Sequence, residues 1–312
     1  MKLVALRDHI GKTLNRFATD YSMVVIDSDL AKSTTTSVFE KEHPLNFMEC
    51  GIAEQSSMSI AQGVASEGFI PFYVNFAMFV TGTAWTQLRQ ICYSNSNVKI
   101  IGTHPGMDNG PDGATHHANE DFALTRSLPN LEVLVPGNLY ELESSIEYAI
   151  KKDGPVYIRV ARDLVLDDEE CSTPFVSGQH YVVDDKGNDI TIVYEGTTSE
   201  LAYSSYVELL DKGYKAKLIN IRYIKPLDKA SLAKDIKFSK IIVSIENHSI
   251  VGGLATLVSE IMVENEIFAK LVKIGVEDVF TESGKTSEVK KKYGLSTTNV
   301  LSKVESIYTV ED

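Results

Sequence analysis

The amino-acid sequence predicts an α/β protein made of two doubly wound domains, each organised around a mainly parallel sheet. Short, almost continuously apolar runs alternate with segments of helical periodicity from one end of the chain to the other. Strands that are apolar on both faces are typical of parallel sheets covered by helices, and the intervening periodic segments supply those helices. A chain of 312 residues is also long enough to bury two cores rather than one.

The first domain is predicted to cover 1–165. Its predicted strands are MVVID (23–27), FIPFYVN (69–75), VKIIGT (98–103), LEVLVP (131–136) and PVYIRV (155–160). Its predicted helices lie at about 52–66, 79–94 and 138–152. The opening segment, MKLVALRDHIGKTLNRFA, carries charges at helical intervals and predicts an amphipathic helix rather than a signal peptide.

A smaller α/β domain is predicted at 190–312, after an acidic, aperiodic connection at 166–189 in which we expect a short hairpin. Its predicted strands are ITIVY (190–194), AKLINI (216–221), KIIVSIE (240–246) and KLVKIGV (270–276). Its predicted helices are one that ends near 211, one that follows Gly252 and Gly253, and two that close the chain.

Composition and charge argue against several classes of function. The net charge of −13 does not suit a nucleic-acid surface, which needs a basic stripe. No run approaches the eighteen apolar residues of a membrane span, so the expected location is the cytoplasm. Cys50, Cys92 and Cys171 are far apart, which implies neither a zinc site nor a disulfide framework.

The segment GTHPGMDNGPDGATHH (102–117) is the clearest candidate for a ligand site. It directly follows a predicted strand, and ligands of open α/β sheets bind beyond the carboxyl ends of the strands. We expect its glycines to let the backbone approach a ligand closely. His104, Asp112 and His116 suit acid–base work or hydroxyl recognition, whereas the absence of HxH or HExxH spacing makes metal ligation the weaker interpretation.

Two other patterns each allow a structural and a functional interpretation. Glu54 stands in the first turn of an apolar helix, where it either complements the helix dipole or, if desolvated, exchanges a proton at neutral pH. Phe76 and Phe79 follow a strand, where they either fill the core or form the floor for a flat heterocycle.

These motifs together resemble the C-terminal half of transketolase, over essentially the whole chain. GIAEQ resembles the segment whose glutamate activates thiamine diphosphate, so that Glu54 would hydrogen-bond the pyrimidine ring and Ile52 would hold the cofactor bent. NFAMF resembles the aromatic pocket, with Phe79 stacking on the aminopyrimidine and Phe76 lining it. Asp29 resembles a residue near the cofactor. The fold implied is a pyrimidine-binding domain followed by a transketolase C-terminal domain.

The resemblance also implies a substrate site. TH at 103–104 and DGATH at 112–116 would bring His104 to the sugar phosphate, Asp112 to the donor hydroxyls and His116, as a catalytic residue, to the reacting carbonyl. Further implied phosphate contacts are Arg7, Ser33 and Arg162.

Some positions depart from the family pattern. Gln55 stands where most transketolases have histidine, and the Glu-Gln pair is more typical of deoxyxylulose-phosphate synthases. Gly82 stands where a third pocket aromatic is often found. His104 favours transketolase, because the deoxyxylulose synthases usually lack a histidine at that position.

The family motif GDG, which holds the diphosphate and Mg²⁺, does not occur in this chain. The resemblance therefore implies one subunit of a split enzyme, in an α2β2 assembly whose other subunit holds the diphosphate and Mg²⁺. The implied reaction moves a two-carbon ketol unit from a ketose phosphate to an aldose, as in pentose phosphate metabolism. The alternatives are a deoxyxylulose-phosphate synthase-like or 2-oxo acid dehydrogenase beta-like subunit, and a non-catalytic scaffold.

Overall fold

Among residues 2–167 and 174–308, which the computed structural model describes, the strands form sheets of seven, five and two strands. The strands are β1 (Lys2–Ala5), β2 (Met23–Asp27), β3 (Phe47–Glu49), β4 (Ile70–Phe76), β5 (Lys99–Thr103), β6 (Glu132–Leu134), β7 (Val156–Val160), β8 (Leu164–Asp167), β9 (Tyr181–Asp185), β10 (Ile190–Glu195), β11 (Ala216–Ile221), β12 (Tyr223–Lys225), β13 (Ile241–Ser249) and β14 (Lys270–Val276).

The helices between them, in chain order, are α1 (Ile10–Phe17), α2 (Ser37–Glu42), α3 (Glu54–Ser66), α4 (Trp85–Tyr93), α5 (Asp121–Arg126), α6 (Leu139–Lys151), α7 (Ser199–Asp211), α8 (Lys229–Ile236), α9 (Leu254–Glu264), α10 (Thr286–Lys292) and α11 (Thr297–Tyr308). A π-helical turn covers Phe79–Thr83, and 3₁₀ turns include Leu6–His9 and Gly110–Asp112. No helix in the described ranges is both long and apolar enough to span a membrane.

The seven-stranded sheet organises the first half of the chain in the order β12-β6-β7-β5-β4-β2-β3. Neighbouring strands are parallel except β12 with β6, so β2, β4, β5 and β7 all end at one edge. The register aligns Phe76 with Thr103, and Thr103 with Val160, at that edge. Because ligands of such sheets bind beyond the carboxyl ends of the strands, the segments that follow these strands form the candidate site.

The five-stranded sheet organises the second half in the order β14-β13-β10-β11-β9, with β9 antiparallel to β11 and the other pairs parallel. α7 and α11 cover one face and share a separate apolar core with it. β12 directly follows β11 but pairs with β6 in the other sheet, and the Val135 N–H donates to the Arg222 carbonyl oxygen at 2.8 Å. One strand of the second half therefore completes the sheet of the first.

The predicted fold class is confirmed, and so are most of the predicted elements. β2, β11 and β14 have the predicted bounds, and α3 and α6 correspond to the helices predicted at 52–66 and 138–152. The predicted helix at 79–94 is divided, because the π-helical turn precedes α4. This agreement reflects the strength of the apolar patterning: β5, β7, β10 and β11 are buried along their whole length.

Two local predictions are wrong. Residues 2–5 form β1, which pairs antiparallel with β8, and the N-terminal helix begins only at Ile10. The charge spacing of so short a segment fits a strand as well, and its partner strand is more than 150 residues away along the chain. The expected hairpin at 166–189 is replaced by pairing with distant strands, β8 with β1 and β9 with β11; 168–173 lie outside the described residues.

A buried ionic cluster joins the two halves. Arg159 of β7 is fully buried and donates to the Asp121 carboxylate at 2.7 Å and to the Asn247 carbonyl oxygen at 2.7 Å. It also lies 3.2 Å from the Glu195 carboxylate and over the ring of Phe122. Loss of any one partner would leave a buried charge uncompensated, so the cluster couples the two halves.

Candidate active site

Two phenylalanines and two histidines, distant in sequence, form one aromatic cluster at the carboxyl edge of the seven-stranded sheet. Phe76 ends β4 and Phe79 begins the π-helical turn, and their rings stack with centroids 5.9 Å apart. The His104 ring lies 4.1 Å from that of Phe76, and the His116 ring meets Phe79 edge-on at 5.2 Å. Phe76 and His104 are buried, whereas Phe79 and His116 are half-buried. The cluster is thus buried on the side formed by Phe76 and His104 and partly exposed on the side formed by Phe79 and His116.

The local backbone explains how β5 delivers His104 to this cluster. The strand ends at Thr103, and His104 adopts a left-handed conformation with φ of 54°. This conformation costs a non-glycine residue about 1 kcal/mol or more, so the surroundings must hold it. The Thr103 hydroxyl lies 2.9 Å from Nδ1 of His104 and helps to fix the ring. Strained residues of this kind are concentrated at functional sites.

Arg7 and Arg162 lie close enough to His104 to act on its charge. Burial and these two positive charges lower the pKa of His104 to about 2, so its imidazole is neutral. The Arg162 guanidinium donates to the Asp108 carbonyl oxygen at 2.8 Å, and the Arg162 main-chain N–H donates to the Asp108 carboxylate at 2.9 Å. Arg7 donates to the Asp8 carboxylate at 2.8 and 3.0 Å. Both arginines are half-buried and, with five N–H groups each, have further donors for an anion.

The loop after β2 carries Asp29 and Ser33 and is held by the buried carboxylate of Asp27. Ser33 is half-buried and Asp29 is exposed. The Thr35 hydroxyl donates to the Arg7 carbonyl oxygen at 2.8 Å, so this loop lies beside the 3₁₀ turn that carries Arg7. The groups that donate to Asp27, all at 2.7–2.8 Å, are the Leu30 N–H, the Thr34 hydroxyl and the Thr36 hydroxyl.

Glu49, which no sequence pattern singles out, joins two parts of the site. Its carboxylate accepts hydrogen bonds from the main-chain N–H of Asp29 and of Gly51, both at 2.8 Å. Asp29 and Gly51 both have positive φ, of 62° and 68°. Glu49 therefore fixes the loop after β2 against the segment that leads into Glu54.

Glu54 is the first residue of α3 and is half-buried above a layer of buried hydroxyls. In that layer the Ser28 hydroxyl lies 2.6 Å from that of Ser57 and 3.1 Å from that of Tyr73. Burial is the main reason that the pKa of Tyr73 is raised, and the Glu54 charge adds to the effect. The predicted apolar surroundings of Glu54 are therefore only partly present, because its neighbour Ile52 is 80% exposed.

Gln55, the departure from the transketolase pattern, makes a specific contact here. Its amide Nε2 donates to the Thr83 carbonyl oxygen at 3.1 Å, which ties the first turn of α3 to the π-helical turn that begins at Phe79. Gly82 lies in the same turn, and a Cβ there would lie 3.1 Å from Met78 Cε. The absence of a third aromatic side chain thus coincides with close packing.

The glycines of the 102–117 loop face protein rather than a ligand, which overturns the role expected for them. A Cβ on Gly106 would lie 2.0 Å from the Asn247 carbonyl oxygen, and one on Gly113 would lie 2.2 Å from Ser283 Oγ. The second domain therefore approaches this loop so closely that only glycine fits. The histidines still reach the site, because they stand at the two ends of the loop.

Asp112 is the one candidate in this loop that the structure does not bring to the cluster. It lies exposed at the end of the 3₁₀ turn Gly110–Asp112, and in the described part of the chain no contact joins its carboxylate to the histidines. The loop instead uses Asp108, which is fully buried and accepts from Asn247 at 2.8 Å and pairs with Lys290 at 2.7 Å. Lys290 and hydrogen bonds hold the pKa of Asp108 below its usual value despite burial. No local sequence pattern indicates these partners.

Two family models match the chain, the pyrimidine-binding domain of transketolase over residues 2–166 and the transketolase C-terminal domain over residues 179–300. The chain belongs to the transketolase family, and its two domains are those of the family's C-terminal half.

Relatives of about the same length match nearly the whole chain. A putative transketolase C-terminal section from Methanocaldococcus jannaschii is 36% identical over 304 residues, which is 96% of this chain and 95% of that protein. One of the subunits of an apulose-4-phosphate transketolase from Phocaeicola vulgatus is 33% identical, and the match covers 94% of each chain. The solved structure of a split-gene transketolase, an inactive beta4 tetramer, is 37% identical, with a TM-score of 0.88 over 99% of this chain and all of that one.

Proposed function

We propose that this chain is one subunit of a two-component transketolase that transfers a two-carbon ketol unit from a ketose phosphate to an aldose with thiamine diphosphate. The observation that carries the proposal is the convergence of Phe79, His104 and His116 at one sheet edge, beside the helix that begins with Glu54. Relatives named as subunits of transketolases support it.

The residues present fit the pyrimidine half of thiamine diphosphate. A flat heterocycle needs an aromatic partner, and the half-buried Phe79 ring is already stacked on one side against Phe76. A ring nitrogen needs a hydrogen-bonding group, and Glu54 supplies a half-buried carboxylate. Ile52 supplies an exposed apolar side chain that the bent cofactor would cover, and Asp29 lies on the neighbouring loop.

Glu54 would hold a proton at the pyrimidine ring, while Phe79 and Ile52 orient the cofactor. When bound, thiamine diphosphate supplies the nucleophilic carbon that allows a bond next to a carbonyl to break. The hydroxyl layer of Ser28, Ser57 and Tyr73 supports the first turn of α3 and keeps Glu54 in place. Burial of the carboxylate by the cofactor would strengthen its hydrogen bond, since charged hydrogen bonds are stronger away from water.

His116 would move the proton at the reacting carbonyl of the sugar. Its imidazole is half-buried and is held edge-on to Phe79, so it borders the position proposed for the cofactor. Imidazole suits this task because its ordinary pKa lies near neutrality. Asp112 would bind the donor hydroxyls only if its exposed turn moves or if the substrate extends that far.

Arg7, Arg162, His104 and Ser33 would bind the sugar phosphate. A terminal phosphate needs several donors in one region, and the two guanidinium groups supply them in planar arrays. His104 is neutral, so it can donate from Nε2 when the Thr103 hydroxyl donates to Nδ1.

A second polypeptide would hold the diphosphate and Mg²⁺, since relatives of matching length include a transketolase subunit and a split-gene transketolase, and this sequence contains no GDG motif. The related split-gene transketolase structure is an inactive beta4 tetramer, which is consistent with that requirement. An α2β2 assembly in the cytoplasm remains our prediction, as do the domain limits at 1–165 and 190–312.

The decisive test is Glu54→Gln in the enzyme assembled with its diphosphate-binding partner. We expect ketol transfer to fall by roughly a hundredfold or more, because the ring loses its acid–base partner while the shape is kept. Glu67→Gln, at the exposed far end of α3, is the matched control. Calorimetric titration with thiamine diphosphate should still detect binding. Near-normal ketol transfer by the Glu54 variant contradicts the mechanism.

Gln55 favours a second candidate, a deoxyxylulose-phosphate synthase-like subunit, because the Glu-Gln pair is typical of that group. A 2-oxo acid dehydrogenase beta-like subunit would share the same test. Both candidates predict that the assembled enzyme consumes a 2-oxo acid and releases CO₂. A non-catalytic scaffold predicts that no partner containing GDG restores any turnover.

A further inference from the structure

The connection between β14 and α10 packs against the loop that carries His116. The contacts are made by residues 281–284, the segment directly before α10. Thr281 is 4% exposed, and its hydroxyl lies 2.5 Å from Nδ1 of His117 and 3.3 Å from Nδ2 of Asn119. At the other end of this segment, the Gly284 N–H donates to the Gly110 carbonyl oxygen at 2.9 Å. The second domain therefore holds both sides of the turn that precedes His116.

His116 and His117 are adjacent in sequence, but their rings lie in different surroundings. The His116 ring borders Phe79 at the site, whereas the His117 ring, 2% exposed, is bonded to Thr281. The main-chain N–H groups of both residues donate to the Gly113 carbonyl oxygen, at 2.9 and 3.1 Å. One tight turn thus carries both rings, and the two main-chain N–H groups share one acceptor.

The turn that carries His116 and His117 cannot move closer to the second domain. Gly113 has φ of 76°, and a Cβ there would collide with Ser283. Contact on that side is therefore already at its limit. The Thr281–His117 bond supplies a directional constraint within this close packing, since the hydroxyl and the imidazole must stay aligned.

We propose that Thr281 is a positioning residue for His116, acting through His117, and that the second domain thereby sets the geometry of proton transfer. The proposal rests on the proposed role of His116 in ketol transfer. General acid–base catalysis requires the base within hydrogen-bonding reach of the proton, so a shift of about 1 Å lowers turnover sharply. Phosphate binding uses Arg7 and Arg162, which Thr281 does not contact.

The kinetic test uses the enzyme assembled with its partner and compares Thr281→Val, which keeps the shape, with Thr281→Ser, which keeps the hydroxyl. We expect Thr281→Val to lower kcat roughly tenfold to a hundredfold, with KM for a phosphorylated donor within about twofold. Thr281→Ser should recover most of kcat. Thr198→Val removes another buried hydroxyl of the second domain and should leave kcat unchanged. An unchanged kcat for Thr281→Val, or a Ser variant as impaired as the Val variant, overturns the proposal.

A second measurement does not depend on turnover. The full chain is treated with diethyl pyrocarbonate, and acylation of His116 and His117 is followed by peptide mass spectrometry. In the wild type we expect the half-buried His116 to react and His117 to be protected. Thr281→Val should raise the acylation rate of His117 several-fold, and Thr198→Val should not. Continued protection of His117 in Thr281→Val refutes the proposal that Thr281 holds the His117 ring in place. Acylation as expected, with no ketol transfer by the assembled wild type, refutes the proposed function instead.

Discussion

Replacement of His104 by asparagine tests whether this histidine is held neutral by burial and by the nearby charges of Arg7 and Arg162. The pKa of His104 is lowered from 6.5 to about 2, mainly by burial and then by the two arginines. The unfolded chain therefore binds a proton at this position below about pH 6.5, whereas the folded chain does not. The stability that neutral His104 contributes is complete above pH 6.5 and is lost as the pH falls towards 2.

The size of the effect follows from these two values. At pH 5 the unfolded histidine is almost fully protonated, roughly 1.5 pH units below its pKa, and each unit is worth about 1.4 kcal/mol. The wild type should therefore lose about 2 kcal/mol more unfolding free energy than His104→Asn between pH 8 and pH 5. The difference between the proteins isolates His104, because their other titrating groups are the same.

The assay is urea unfolding of both proteins at pH 8, 7, 6 and 5, at fixed protein concentration, followed by far-ultraviolet circular dichroism. Thr103→Val keeps the imidazole and removes its neighbouring hydroxyl, so it should retain the pH dependence of the wild type. Parallel curves for the wild type and His104→Asn would show that His104 takes up a proton in the folded chain as readily as in the unfolded one. The lowered pKa of His104, and the burial and positive charges that cause it, would then be contradicted.

Two other substitutions test the phosphate site and the loop. Arg162→Ala should raise KM for phosphorylated sugars roughly tenfold to a hundredfold, because a charged hydrogen bond to the phosphate is lost. The change in KM for unphosphorylated sugars should be much smaller. Equal changes for both kinds of sugar would contradict a phosphate role for Arg162. Gly106→Ala should cost about 2 kcal/mol or more in urea unfolding, because the methyl group meets Asn247 and φ is 55°. Gly63→Ala, in α3 with open space around it, should be neutral or stabilising by about 0.5–1 kcal/mol. Similar unfolding free energies for the two alanine variants would contradict the close approach of Asn247 to Gly106.

Prediction from the sequence succeeded where the information is local. The apolar runs identify β2 and β11 because burial on both faces leaves a nearly continuous apolar pattern in the chain. Position relative to a strand end was equally informative, since it led to Phe76 and His104 at the same edge of the sheet.

Prediction failed where the cause lies far away in sequence. The local pattern predicts a helix where β1 forms, because the partner strand β8 is nearly the whole first domain away. The glycines of the 102–117 loop predict a ligand contact because nothing in the loop indicates Asn247 or Ser283. The sequence does not indicate Glu49 or Thr281 either, because a single polar residue carries no pattern of its own.

The exchange of β12 between the halves bears on any attempt to separate them. A protein cut in the 166–189 connection would leave the outer edge of β6 without its antiparallel neighbour, and its free main-chain groups would invite pairing with other molecules. The remaining C-terminal piece would carry Tyr223 without the apolar side chains of the first half that pack around it. A soluble stand-alone version of either half therefore needs a redesigned boundary rather than a simple scission.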